Sequence, residues 1–158
     1  MSEAASLAAK LQAEGEKVDL FMASLDEGQW NAEVYTEGAI WTIRGVFAHL
    51  LSAERAFVKL FAEIRDGGAG VSEDFNIDRY NAIQQRKTAG LAPAALIEEL
   101  RAARAQMVAF VSGLTASDLE RKGRHPFLGV VSLREMVKMI YIHNQTHFRD
   151  VRRVLRVE

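Results

Sequence analysis

Residues Val131 to Leu155 read VSLREMVKMIYIHNQTHFRDVRRVL, and their pattern decides the fold class. Apolar side chains recur at Leu133, Met136, Val137, Ile140, Val151 and Val154, the i, i+3, i+4 spacing of one helical face. Ser132 and Glu135 stand as a capping box, with Val131 and Met136 placed as the hydrophobic staple. The basic end (Arg149, Arg152, Arg153, Arg156) offsets the negative pole of the helix dipole. A long amphipathic helix ending near Leu155 is predicted.

The same spacing recurs upstream. A first helix is predicted from about Ala4 to Leu25, with Leu7, Leu11, Val18, Phe21 and Leu25 on its stripe. The polar stretch from Asp26 to Ile40 reads as a long connection. A second helix begins after Thr42 as N-cap, Trp41 being placed to staple onto Val46, and carries Ile43, Phe47, Leu50, Phe57 and Phe61 inward. The glycines at 67, 68 and 70 end it. A short helix capped by Asp78 fits between Gly70 and Pro93, and Pro93 suits the first turn of a third long helix through Leu114. Thr115 to Arg121 fits one extra turn, and Gly123 to Val131 reads as loop. Four helices of about 20 residues make a bundle about 30 Å long. The sequence shows no internal repeat. The expectation is an all-α four-helix bundle with a short extra helix in a long crossover, as one domain over residues 1–158.

Composition narrows the function classes. The chain is 49% hydrophobic and 26% charged, ordinary for a globular protein. Lys plus Arg number 20 against 21 Asp plus Glu, so no basic excess favours nucleic acid. No apolar run reaches membrane-spanning length, and the opening MSEAASLAAK lacks a basic-then-apolar leader pattern. A cytoplasmic protein is expected. The absence of cysteine removes disulfides, thiolate ligands and an internal cysteine nucleophile, so any thiol chemistry needs a thiol from outside.

The histidines carry the chemistry. His143 and His147 are i, i+4 on the last helix, which puts their Cβ atoms roughly 6 Å apart on one face. That separation lets two ring nitrogens converge on one ion, and His49 on the second helix completes a three-nitrogen set. Imidazole suits zinc, nickel, copper or iron. His49 lies roughly 10 Å into its helix, and His147 and His143 lie roughly 12–18 Å from the end of theirs. The depths match if those helices are antiparallel, which the crossover from Asp66 to Ala92 permits in an up-down-down-up order.

Two blocks then carry a resemblance. Trp41-Thr42-Ile43-Arg44-Gly45-Val46-Phe47-Ala48-His49-Leu50 resembles the W-[ST]-x-x-x-x-x-x-H-L signature of the DinB/YfiT-like family. His125 to Glu135, followed by His143-x-x-x-His147, resembles that family's last loop and helix. The resemblance implies a four-helix bundle binding a divalent metal (zinc, nickel or iron) through His49, His143 and His147. It also implies activity with low-molecular-weight thiols as S-transferase or isomerase, and no DNA binding.

Other residues take plainer roles. Asp150 is placed either to orient an imidazole from behind or to pair with a nearby arginine. Glu54 reads as a structural polar residue, His125 as an exposed loop residue, and Trp30 and Trp41 as packing residues. Asn144 and Tyr141 flank His143 as candidate pocket residues. The pocket walls fall to the irregular segments Asp26–Ile40 and Gly67–Ala92. Three functions stay open: a metal-dependent thiol transferase, a metal-dependent hydrolase, and a non-catalytic bundle binding a small molecule or partner. The substrate is a small molecule of unread identity, and a homodimer is the expected assembly.

Overall fold

The capping box at Ser132 is present: the Ser132 amide donates to Glu135 Oε2 at 2.9 Å, and Ser132 Oγ accepts from the Glu135 amide. The computed structural model describes residues 1–156. Their elements run α1 (Glu3–Ala23), α2 (Glu27–Trp30), β1 (Glu33–Tyr35), β2 (Trp41–Thr42), α3 (Ile43–Arg65), α4 (Ile77–Thr88), α5 (Pro93–Ser112), α6 (Ala116–Glu120), β3 (Lys122–His125), β4 (Gly129–Ser132) and α7 (Leu133–Leu155). Thr42 caps α3 by accepting from Gly45 N, and Pro93 opens α5, both as predicted. Among the described residues no helix is long and apolar enough to cross a membrane.

Side-chain pairs give the helix directions. Asp19 bonds Arg101 and Leu11 accepts from Arg104, so α1 and α5 are antiparallel. Arg55 pairs with Glu99 and Arg65 lies over Phe110, so α3 and α5 are parallel. Glu3 pairs with Arg134 and Phe21 meets Phe148 edge-on, so α1 and α7 are parallel. The order is up-down-down-up, with α3 and α7 antiparallel and α4 inside the long crossover.

Two apolar clusters fill the bundle, one around Leu11, Phe61, Met107 and Val137, the other around Phe47, Leu50, Leu96 and Val151. A polar layer interrupts them, one buried residue from each long helix: Glu14, Glu54, Arg104 and Asn144. Arg104 bonds both carboxylates and the Leu11 carbonyl. Gly15 makes room for it, since a Cβ there would lie 2.9 Å from Arg104 Cγ.

The structure corrects several sequence expectations. The Asp26–Ile40 connection holds α2 and β1, and the Gly123–Val131 loop is largely the hairpin of β3 with β4. Strands of two to four residues are too short to display period-two alternation. Asn76, not Asp78, caps α4, its Oδ1 accepting from Arg79 N at 2.9 Å. Val154 is 39% exposed because the packed stripe passes from Val151 to Leu155, which turns Val154 outward. The element order also repeats without any sequence repeat: long helix, short capped helix, hairpin, long helix. Ile43 N bonds Ala32 O at 2.9 Å in the first half, and Leu133 N bonds Arg121 O at 2.8 Å in the second. In each half the second strand of the hairpin delivers the N-cap of the next long helix, which fixes where that helix starts.

Candidate metal centre

α3 and α7 bring three imidazoles to one point. His49 Nε2 and His147 Nε2 each lie 3.1 Å from His143 Nε2. One donor nitrogen from each residue falls within 4.8 Å of the others. His49 is buried and the other two are half-buried. The α3 start at Thr42 and the α7 start at Ser132 set the registers that make this possible.

A phenol behind the cluster assigns one proton. Tyr35 Oη donates to Asp150 Oδ2 at 2.6 Å and lies 2.8 Å from His147 Nδ1. Its single hydrogen is committed to the carboxylate, so it accepts from His147 Nδ1–H. That tautomer leaves His147 Nε2 with a lone pair pointing into the cluster. Burial, with Asp150 adding to it, raises the Tyr35 pKa, so the phenol stays protonated at neutral pH.

The imidazoles are held neutral. Burial first, then the charges of His143 and His147, pushes the His49 pKa down to about 3. Burial and the neighbouring His147 push His143 down to about 4, against a hydrogen bond with Asn144. His147 is lowered by burial, with Asp150 working the other way. Neutral imidazole is the ligating form. His143 Nε2 faces two other ring nitrogens, and one hydrogen cannot satisfy both contacts. A shared cation resolves three converging lone pairs, so the donor set fits a divalent ion.

The cluster opens onto a cavity of about 400 Å³. α3 contributes Ala53, Ala56, Phe57 and Leu60 to its wall, and the crossover contributes Val71, Phe75, Ile77, Tyr80 and Asn81. Of the two wall segments expected from the sequence, Gly67–Ala92 lines the cavity and Asp26–Ile40 does not; Pro126 and Phe127, from the tip between β3 and β4, line it instead. Gly70 lets the crossover reach that hairpin: its φ is +91°, and Val71 N bonds Arg124 O at 3.0 Å.

The other candidates fall as follows. Asp150 reaches His147 through Tyr35 and also lies 3.7 Å from Arg153, so both of its expected contacts exist. Tyr35 itself was not among the expected site residues, because it sits in a three-residue strand outside the two motif blocks and meets His147 and Asp150 only through the fold. Trp41 packs against the second apolar cluster as expected and also lies at the cavity wall, its ring centroid 5.0 Å from His49, while Trp30 is buried against Phe47. Asn144 is buried and Tyr141 is exposed; neither lines this cavity. Glu54 is structural, in the Arg104 layer.

His125 contradicts its reading as an exposed loop residue. It is only 2% exposed, stacked on Phe57 at 5.1 Å. Its Nδ1 accepts from the amides of Phe127 and Leu128, each at 3.3 Å, which holds the hairpin tip. Burial pushes its pKa down to about 4.

Comparison with known proteins agrees with this geometry. A family model described as the DinB superfamily matches residues 4–151. Among solved structures, the chain resembles YfiT from Bacillus subtilis, described as a probable metal-dependent hydrolase with an unusual four-helix bundle topology. The TM-score is 0.79 at 17% identity, covering 99% of this chain and 89% of that one. At that identity the likeness is one of fold. No curated protein matches the chain.

Proposed function

We propose that this chain, which belongs to the DinB superfamily, is a metal-dependent enzyme whose divalent ion (zinc, nickel or iron) is held by His49, His143 and His147. The observation that carries the reading is the meeting of three neutral imidazole nitrogens at one end of a deep cavity. Bound there, such an ion supplies Lewis acidity, which lowers the pKa of a water or thiol that reaches it. Tyr35 and Asp150 hold His147 in the ligating tautomer, and Trp41 and Phe127 flank the cluster at the cavity wall, with ring centroids 5.0 Å from His49 and 6.1 Å from His143.

The nucleophile comes from outside, since the chain has no cysteine. No Asp or Glu is among the described residues lining the cavity, so no carboxylate there serves as general base. A thiol, with an ordinary pKa near 8.5, needs such a base less than water does. The reading therefore favours S-transfer from a low-molecular-weight thiol to an electrophile. Hydrolysis is the second reading, supported by the likeness to YfiT.

Elemental analysis of tag-free protein tests the site, run beside His49→Ala and the double change His143→Ala, His147→Ala. A single divalent ion per chain, lost in both variants, is the expected result. A wild type that stays empty after incubation with zinc, nickel and iron(II) would refute the metal centre. Metal-loaded protein is then assayed with electrophiles with and without added thiols, and with ester and amide substrates. Chelator-sensitive turnover that requires the thiol supports the transferase, and turnover without it supports the hydrolase. No turnover in either would leave a metal-holding binding module.

A further inference from the structure

The walls of the cavity in front of the histidines carry no fixed charge. No Lys, Arg, Asp or Glu is among the described residues that line it, in a chain that is 26% charged. Apart from the histidines, its polar side chains are those of Trp41, Tyr80 and Asn81. Charge is close by all the same. A second groove, about 630 Å³, shares Ala56, Leu60 and Tyr80 with the first and is lined by Arg55, Lys59, Glu63 and Lys87, among others. Arg55, Lys59, Glu63 and Lys87 thus lie in the groove across a shared wall, and aromatic and aliphatic groups face the imidazoles.

Two further features restrict what fits. Ala53 and Ala56 are small where α3 fronts the cavity, and the space they leave is part of the roughly 400 Å³ available. That volume lies in the range of pockets built for small organic molecules. Away from the imidazoles, a charged group entering it would shed water and find no ion pair with the walls, a cost that apolar contact does not recover.

We propose that this cavity takes a neutral, predominantly apolar organic molecule of about bicyclic size, seated with its reactive group toward the three histidines. This rests on the reading of the cavity as the substrate site of the enzyme proposed above. Selection is made by the walls and does not require the ion.

Two dyes with one ring skeleton test it on the full chain. N-phenyl-1-naphthylamine is neutral, 1-anilinonaphthalene-8-sulfonate is anionic, and both brighten on leaving water. In metal-free protein the neutral dye is expected to saturate a single site per chain and to bind at least ~10-fold tighter than the sulfonate. Ala56→Trp should fill the space and weaken the neutral dye by at least ~10-fold. Ala56→Lys should weaken the neutral dye and strengthen the anionic one, with circular dichroism reporting that each variant is folded. Equal or tighter binding of the sulfonate by wild type overturns the proposal, as does neutral-dye binding undiminished in both Ala56 variants. Zinc content is read separately. Protein that takes the neutral dye in this cavity but never takes zinc refutes the metal centre and supports the apolar specificity. Protein that takes zinc but prefers the sulfonate does the reverse.

Discussion

The phenol of Tyr35 has one proton and two polar neighbours, so Tyr35→Phe isolates what the hydroxyl does. The change removes the acceptor for His147 Nδ1–H and a donor to Asp150 while the ring keeps its place beside Trp41. Outer partners of ligating imidazoles are worth about 10- to 100-fold in metal affinity. Competition with a chromogenic chelator should show zinc affinity falling by a factor in that range; unchanged affinity would mean that α7 alone orients the ring. His125 gives a second prediction, in pH. Its pKa drops from an ordinary 6.5 when unfolded to about 4 when folded. Between those values the unfolded chain binds the extra proton, so stability falls as pH falls from 6.5 and the loss is complete below 4. The full loss is about 3 kcal/mol. In metal-free His125→Phe the amides of Phe127 and Leu128 lose their acceptor, so the variant is less stable at neutral pH. Its denaturation midpoint should nevertheless fall less steeply than wild type across the same window. Parallel pH profiles for the two proteins would refute the assignment.

At the scale of elements, the site depends on where helices begin and on how the crossover is pinned. Ser132→Ala removes the cap that starts α7 and should cost about 1 kcal/mol by urea denaturation. Gly70→Ala should cost more, at least about 2 kcal/mol, because L residues resist its positive φ and a Cβ there lies 2.4 Å from Arg124 backbone atoms. The cavity wall would loosen with it, and limited proteolysis should cut between α3 and α4 sooner than in wild type. An uncleaved, equally stable variant would mean that the contact with β3 does not hold the crossover. These elements also mark how far the sequence could be read. Helices of twenty residues or more repeat their period several times, and Thr42, Pro93 and Ser132 announce their starts chemically. His49, His143 and His147 were legible because helix spacing converts directly into geometry. The hairpins were not, since β2 has two residues and shows no period. His125 and Tyr35 lie in these short hairpins, and the side chains that define their roles come from distant parts of the chain, Phe57 for His125 and His147 with Asp150 for Tyr35.

At the scale of the molecule, four long helices meet in a layer where Arg104 stands between Glu14 and Glu54 beside Asn144. Burial opposes the charge on Arg104, but the two carboxylates outweigh it and raise its pKa. Burial raises the Glu14 pKa, with Arg104 pulling against it. Arg104→Leu would leave two buried carboxylates with no cation, at a cost of about 3–5 kcal/mol at neutral pH. The sign of its pH dependence follows from Glu14. Without the guanidinium its folded pKa rises further above the unfolded value, so the folded state holds a proton that the unfolded chain has lost. Both proteins lose stability through the same histidines, so the stability gap between the variant and wild type should narrow as pH falls toward about 5. The triple change Glu14→Leu, Glu54→Leu, Arg104→Met separates ion pairing from packing. Replacing a whole buried ionic cluster with apolar side chains is neutral or stabilising in other proteins, so the triple variant should stand within about 1 kcal/mol of wild type or above it. The layer would then matter for alignment more than for stability, because Asn144, buried in it, is next to His143 on α7, so the layer sets the depth at which α7 presents its imidazoles. Zinc affinity lowered in a fully stable triple variant is the expected signature, and affinity equal to wild type would show that the two apolar clusters set that depth by themselves.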